Sequence, residues 1–97
     1  MNNTYNNEIV VDVILPNYNK DKFLAEAIGS VVAQTYKKWH LFIIDDKSTD
    51  NSKQIIDKFS YLKNVTIVKL KKNKGPSFCR NYGMRISNSK YISFIDS

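Results

Sequence analysis

The sequence predicts an α/β fold in which a parallel sheet of about four strands alternates with helices. Short apolar runs rich in β-branched residues recur along the chain, as expected for strands buried on both faces. The segments between them carry apolar residues at helical spacing. Single helices that connect successive strands imply right-handed crossovers, and therefore strands that all run in one direction.

The first strand and helix follow this pattern closely. Residues 9–15 are nearly continuously apolar, interrupted by Asp12, and a proline ends the run. In the turn that follows, Asn19 or Asp21 is positioned to cap a helix. Apolar pairs then recur four residues apart over 23–32, which predicts one buried stripe of an amphipathic helix.

The rest of the chain repeats the alternation. The predicted elements are a strand over 39–44, a helix over 52–59, a strand over 65–70, a helix over 77–86 and a strand over 91–95. Ligands of open parallel sheets bind beyond the carboxyl ends of the strands. We therefore expect the loops after the four predicted strands to share one rim and one site.

Composition and charge restrict the function classes. The 97 residues suit one domain or part of one, and their net charge of +6 suits anionic partners, with solubility as the ordinary alternative. No apolar run approaches the roughly 20 residues that span a bilayer. Residues 1–8 are polar and Asn-rich, so we predict a flexible tail rather than a secretory signal.

Several common kinds of site are unlikely from the motifs. There is neither a G-x-G-x-x-G segment nor a P-loop. The single histidine, His40, lies inside a strand pattern, so we interpret it as structural and find no Ser–His–Asp arrangement. The single cysteine, Cys79, fits a reducing cytoplasm and is interpreted as a buried helix residue. We expect a cytoplasmic protein, with the inner face of the membrane as the alternative position.

Four segments carry a family resemblance. They read VILPNYN at 13–19, IIDDKSTD at 43–50, NKGPSFCRNYG at 73–83 and YISFIDS at 91–97. In this order and spacing they resemble the nucleotide-sugar-binding half of family-2 glycosyltransferases with the GT-A fold. The resemblance covers nearly the whole chain from Val10 onward. It implies that residues 9–97 form the Rossmann-like, nucleotide-binding part of a GT-A domain that is truncated at its C-terminal side.

The resemblance also implies roles for individual residues. Tyr18 would stack on a nucleobase, Asp46 would accept the imide N–H of uracil, and Arg80 would reach the base or the diphosphate. Asp96 matches the first carboxylate of the family's Asp-x-Asp motif, which helps to hold Mg²⁺ or Mn²⁺. The complete set predicted to bind the nucleotide is Pro16, Tyr18, Asn19, Asp46, Ser48 and Arg80.

The function implied is inverting transfer of a sugar from a nucleotide donor, expected to be UDP-linked, to a hydroxyl of a glycan or a lipid-linked acceptor. The family's second metal carboxylate and its general base would follow Ser97, so we predict that this chain alone is inactive. One departure is Lys47, which stands where the family usually has glycine.

Two non-catalytic α/β binding modules remain as alternatives. A receiver-like domain requires a phosphoacceptor aspartate after the third strand, where Leu70 and two lysines stand instead. A nucleic-acid-binding module driven by the lysines would need interleaved aromatic residues, so no nucleic-acid partner is expected. The uncovered edge of a truncated sheet would favour self-association.

Overall fold

The computed structural model describes residues 9–97, and within that range it confirms the predicted alternation of strands and helices. The elements are β1 (Val11–Asn17), α1 (Asp21–Ala33), β2 (Trp39–Asp45), α2 (Ser52–Lys58), β3 (Val65–Lys69), α3 (Pro76–Ile86) and β4 (Tyr91–Phe94). The predicted tail, residues 1–8, lies outside the described residues. Among those that are described, no helix is long and apolar enough to cross a bilayer.

The order of the strands determines where a ligand can bind. The described strands form one parallel sheet in the order β3-β2-β1-β4. The chain moves from β1 to β2 and β3 on one side, then crosses to place β4 on the other side of β1. In open α/β sheets, the crevice at such a reversal is the usual binding position. This topology therefore points to the carboxyl ends of β1 and β4.

One face of the sheet is covered by α1 and α2. The apolar stripe of α1 places Leu24, Ile28 and Val31 in the interior, against Val13 and Leu15 of β1. Each of these residues is buried, and removing such a side chain from water stabilises a fold by about 1.5–3 kcal/mol. The four-residue spacing in the sequence thus determines which side of α1 contacts the sheet.

Among the elements of residues 9–97, α3 covers the opposite face. Ile14, Phe42 and Ile44 pack there with Cys79, which is almost completely buried, as predicted for this cysteine. Helix α3 approaches the sheet closely at Gly83, where a Cβ atom would lie 2.4 Å from Cγ2 of Ile14. A side chain at position 83 would therefore push α3 away from β1.

Two polar residues inside the sheet serve the fold. Asp12, only 4% exposed, accepts the backbone N–H groups of Asn88 at 3.0 Å and Ser89 at 3.1 Å. It thereby fixes the loop between α3 and β4. His40 Nε2 lies 2.6 Å from Thr66 Oγ1 on the neighbouring strand, which supports its interpretation as a structural residue.

The side chain of Asp50 binds backbone N–H groups at the N-termini of both α1 and α2. Asp50 Oδ2 accepts the backbone N–H of Asp21 at 3.0 Å, and Asp50 Oδ1 accepts that of Ser52 at 2.9 Å. The N-cap residue of α1 is Lys20, which makes no capping bond through its side chain. The prediction that Asn19 or Asp21 caps α1 is therefore wrong, because the acceptor comes from the loop before α2.

Replacing Asp50 with alanine is expected to lower the free energy of unfolding at pH 7 by about 1–2 kcal/mol, as for other lost helix caps. Burial alone would raise the pKa of Asp50. The nearby Ser52 hydroxyl and the hydrogen bonds from the backbone N–H groups of Ser52 and Asp21 outweigh it, so the pKa of Asp50 lies below its usual value of 3.8. The stabilisation is therefore present above pH 3.8 and is lost as the pH falls through the lowered pKa.

Urea unfolding of the wild type and the Asp50→Ala variant between pH 2 and pH 7 measures this difference. The free energies of unfolding of the two proteins should become equal near pH 2. A constant difference across the range would contradict a role for the ionised carboxylate. Asp50→Asn, which keeps an acceptor oxygen without the charge, should lose less stability than Asp50→Ala.

Candidate functional site

A cavity of about 450 Å³ opens at the carboxyl ends of β1 and β4, the position indicated by the strand order. This volume lies within the usual range for small-molecule sites, roughly 300–1,000 Å³. Of the residues predicted from the sequence, those that line the cavity are Pro16, Tyr18, Asp46, Arg80 and Asp96. Segments that are far apart in the sequence therefore meet at one rim, as predicted.

The wall next to β1 is aromatic. Tyr18 follows the end of β1 directly, and its side chain is 47% exposed at the cavity. Its position is fixed by Pro16 within β1 and by Asn19, which has a left-handed backbone with φ of 51°. Asparagine adopts this conformation more readily than most residues. The arrangement leaves part of the tyrosine ring free to contact a flat ligand.

Asn19 and Ser48 were also predicted to bind the nucleotide, but neither lines the cavity. Asn19 Oδ1 accepts the backbone N–H of Thr49 at 2.7 Å, and the Asn19 N–H donates to Ser48 Oγ at 2.9 Å. These bonds join the loop after β1 to the loop after β2. Both residues therefore hold the neighbouring loops together, and their contact with a nucleotide stays a prediction.

The two adjacent aspartates after β2 have different partners. Asp45 Oδ1 accepts hydrogen bonds from Asn17 Nδ2 at 2.9 Å and from Ser48 Oγ at 2.7 Å. Asp45 Oδ2 also accepts the backbone N–H of Ser48 at 3.0 Å. Asp45 thus shapes its own loop. Asn17 lines the cavity and was missed as a site residue, although it lies inside one of the sequence motifs.

Asp46 instead reaches across to the loop before α3. Its Oδ1 accepts the backbone N–H of Lys74 at 2.7 Å, while its Oδ2 accepts that of Gly75 at 2.9 Å and the side-chain N–H of Asn73 at 3.1 Å. The Asp46 side chain is buried, with 3% exposure, yet it borders the cavity. One carboxylate therefore orders the loop that forms the floor of the site.

Cys79 lies beneath this floor and also borders the cavity. Burial raises the pKa of its thiol to about 11, and the negative charge of the nearby Asp46 carboxylate adds to the effect. The thiol is therefore neutral near pH 7. A neutral, buried thiol is a poor nucleophile, so this residue supplies an inert surface rather than reactivity.

Positive charge enters the cavity from two sides. Arg80 lies in the second turn of α3, where its Nη2 is 3.4 Å from Ser77 Oγ. Lys20 enters from the loop before α1 and was not predicted as a site residue. Helix α3 begins at Pro76 after Gly75, whose φ of 92° favours glycine. The positive end of a helix dipole adds to these charges, and together they suit an anion.

Asp96 lies at the end of the segment after β4. The Ile95 N–H donates to the carbonyl oxygen of Ile14, and Ser97 Oγ donates to Asn17 Oδ1 at 2.8 Å. These bonds hold the segment against β1, while Asp96 itself remains exposed beside the cavity. Within residues 9–97, no group of three His, Cys, Asp or Glu side chains could hold a metal ion. Asp96 would therefore need further ligands to hold a metal ion.

The backbone at position 47 has the conformation that a glycine would favour. Lys47 has a φ of 59°, in the left-handed region that glycine adopts without strain. For a residue with a Cβ atom this conformation costs about 1–2 kcal/mol. The turn after Asp46 therefore keeps the shape that a glycine would favour, and Lys47 occupies it at some cost.

Fold and cavity together define an α/β domain with an anion-compatible site at the reversal of strand order. The family described as Glycosyl transferase family 2 matches residues 12–97, and the chain belongs to this family. This membership confirms the resemblance in the sequence and leaves the receiver-like alternative without support.

Individual relatives are consistent with this membership. An uncharacterized glycosyltransferase of Rickettsia conorii is 40% identical over 91 residues, which cover 94% of this chain and 15% of that protein. The Escherichia coli UDP-Glc:alpha-D-GlcNAc-diphosphoundecaprenol beta-1,3-glucosyltransferase WfgD is 33% identical, with 93% of this chain and 35% of that protein covered.

A solved structure confirms the fold. The structure of S. aureus TarS 1-349 in complex with UDP matches with a TM-score of 0.83 and 30% identity, covering 92% of this chain and 27% of that one. The four-stranded parallel sheet described for residues 9–97 is therefore the Rossmann-like sheet of a GT-A domain. The chain spans about a third or less of the length of these three proteins.

Proposed function

We propose that this chain is the donor-binding part of an inverting glycosyltransferase that uses a UDP-linked sugar. The observation that carries the proposal is the meeting of Tyr18, Asp46, Arg80 and Asp96 around one cavity. Two similar proteins support the choice of UDP. TarS was solved with UDP and with UDP-GlcNAc, and the name of WfgD includes UDP-Glc as a substrate.

The uracil base of the donor would lie between the Tyr18 ring and the loop before α3 that Asp46 holds in place. An aromatic ring beside a base contributes about 1–3 kcal/mol through stacking. Asp46 Oδ1 accepts one backbone N–H, and a carboxylate oxygen has two lone pairs, so an acceptor position remains for the imide N–H of uracil. Cytosine presents a lone pair at the same ring position and would be disfavoured.

The diphosphate would lie toward Arg80, Lys20 and the N-terminus of α3, where a guanidinium, an ammonium and a helix dipole favour negative charge. Mg²⁺ is often held by one or two carboxylates together with substrate phosphates and water. Asp96 fits the role of one such carboxylate. When bound, the cation would supply Lewis-acid stabilisation of the departing diphosphate.

The acceptor belongs to the same proposal. We propose a hydroxyl of a glycan or of a lipid-linked glycan, because the name of WfgD specifies a diphosphoundecaprenol-linked acceptor. A general base near this hydroxyl would remove its proton. The hydroxyl oxygen would attack the anomeric carbon from the side opposite the departing diphosphate, and this attack inverts the configuration at that carbon. No described residue is assigned to that role.

Replacing Tyr18 with alanine is expected to weaken UDP binding by about tenfold or more, because the stacking surface is lost. Isothermal titration calorimetry with UDP measures the change. The matched control is Tyr61→Ala, since Tyr61 is 77% exposed and does not line the cavity. Its UDP affinity should equal that of the wild type. Equal affinities of all three proteins would contradict the proposed position of the base.

The Asp96→Asn variant tests the metal. We expect Mn²⁺ alone to bind the wild type weakly, because the described residues provide no cluster of ligands, but to strengthen UDP binding. Asp96→Asn should abolish that strengthening and leave metal-free UDP binding unchanged. Asp57→Asn, an exposed carboxylate on α2, is the control. Strengthening by Mn²⁺ that persists in Asp96→Asn would assign the metal to other ligands.

A further inference from the structure

A row of polar side chains crosses the sheet at the carboxyl end of β1. Asn17, the last residue of β1, is in register with Asp45 of β2. Its Nδ2 donates to Asp45 Oδ1 at 2.9 Å and to Ser48 Oγ at 3.3 Å, while its Oδ1 accepts the Ser97 hydroxyl at 2.8 Å. Asn17 is only 2% exposed, yet it borders the cavity. One buried side chain therefore connects the end of β2 with the segment after β4.

The carboxylate of Asp45 determines the direction of these bonds. A carboxylate accepts hydrogen bonds and has none to donate, so the nitrogen of the Asn17 carboxamide faces Asp45. The carboxamide oxygen then faces Ser97, and the Ser97 hydroxyl must be the donor of that bond. All the polar atoms of the Asn17 side chain are thereby bonded, as burial requires. An alanine at position 17 would supply neither bond.

The row lies directly beside two carboxylates that border the cavity. Asp46 follows Asp45 in the chain, and its backbone N–H donates to the carbonyl oxygen of Asn17 at 2.9 Å. Asp96 precedes Ser97, which the Asn17 side chain holds. The Asp46 side chain has further anchors in the loop before α3, whereas Asp96 is exposed. The position of Asp96 therefore depends on the bonds that its neighbours make.

We propose that Asn17 is a positioning residue, which fixes Asp96 relative to Asp46 through its bond to Ser97. The inference rests on the proposed function, in which Asp46 contacts the uracil and Asp96 the cation. Mg²⁺ demands near-ideal ligand geometry, and loss of a partner that orients a metal ligand typically lowers metal affinity about 10–100-fold. Asn17 is assigned no contact with the cation or the sugar, so it acts only by holding its neighbours.

Titration calorimetry with UDP tests this role through the ratio of the affinity with Mn²⁺ to that without, which we call the Mn²⁺ factor. Asn17→Ala and Ser97→Ala should each lower the factor at least about threefold, because each removes the bond that holds Asp96. The double variant should lose no more than Asn17→Ala, since both changes remove the same bond. The control is Asn64→Ala, because Asn64 donates to the Trp39 carbonyl at the amino ends of the strands and does not line the cavity. It should keep the wild-type factor.

The heteronuclear Overhauser effect of the Asp96 amide gives a second readout that needs no ligand. It should fall in Asn17→Ala and Ser97→Ala and keep its wild-type value in Asn64→Ala. If circular dichroism shows that Asn17→Ala does not fold, Ser97→Ala decides, because it removes one hydroxyl only. A wild-type Mn²⁺ factor in Ser97→Ala, an unchanged Overhauser effect at Asp96, or additive losses in the double variant would each overturn the role of Asn17.

A failure of the proposed function would give a different result. UDP binding that is absent in the wild type, or that does not respond to Mn²⁺, would contradict the proposed function instead. The Overhauser effect at Asp96 would still decide whether Asn17 holds this residue in place.

Discussion

Replacing Asp46 with alanine is expected to lower the free energy of unfolding by about 2–4 kcal/mol, a large change for a chain of this size. The buried carboxylate accepts N–H groups from Lys74, Gly75 and Asn73, which lie more than 25 residues later in the sequence. Without it, these donors lose their partner and the loop before α3 loses its anchor. The Asp46→Ala variant should therefore unfold more easily and also bind UDP poorly.

Urea unfolding followed by circular dichroism measures the stability. Asp57→Ala is the matched control, since its carboxylate forms an exposed ion pair with Lys69 at 2.9 Å. Exposed pairs contribute at most about 1 kcal/mol, so this control should remain close to the wild type. A stability of Asp46→Ala within about 0.5 kcal/mol of the wild type would show that the loop does not depend on this carboxylate.

Replacing Gly83 with alanine is expected to destabilise the fold by about 1–3 kcal/mol through overpacking. The new Cβ would lie 2.4 Å from Cγ2 of Ile14, 3.0 Å from its Cδ1 and 3.3 Å from its Cγ1. Ile14 is completely buried and stiff at χ1, so it cannot move aside easily. Helix α3 must then shift away from β1, which also displaces Arg80 and Cys79 at the cavity.

A glycine-to-alanine substitution at position 29 should instead stabilise the fold. Gly29 lies inside α1, and a Cβ atom there would meet nothing within 4 Å. Gly29→Ala should therefore stabilise the fold by about 0.5–1 kcal/mol, because alanine is the better helix former. Thermal unfolding of the two variants gives the comparison. If Gly83→Ala were as stable as Gly29→Ala, the close approach of α3 to β1 would be refuted.

The sequence predicts the elements well because their signals are local. Runs of apolar residues in β1 and β2, and the four-residue spacing in α1, depend only on neighbours in the chain. The rule that places ligands at the carboxyl ends of parallel strands then brings Tyr18, Asp46 and Asp96 to one rim. These features require no knowledge of side-chain packing.

The hydrogen bonds that organise the site depend on partners far away in the sequence. Asp50 caps α1 from a loop about 30 residues later, whereas the local capping rule selects Asn19 or Asp21. Asp12 interrupts an apolar run, but its partners near Ser89 become visible only in the fold. For the same reason the bond by which Asn19 joins two loops is visible only in the fold.

Some residues that line or border the cavity could not be predicted, because their sequence patterns are also typical of ordinary loop residues. Asn17 and Asn73 lie inside the sequence motifs, but an asparagine in a loop is ordinarily a turn residue. Lys20 is one of many exposed lysines, and nothing in the sequence distinguishes it from the others. A position at the cavity became evident only when the loops were assembled by the strand order.

We propose that uridine diphosphate binds in the cavity at the ends of β1 and β4. A titration of the isotopically labelled chain with UDP, followed by nuclear magnetic resonance, tests it residue by residue. We expect shifts of the backbone signals at 16–20, 46, 73–80 and 96–97, with little change in α2. Shifts that concentrate on α2 and β3, or none at millimolar UDP, would contradict it.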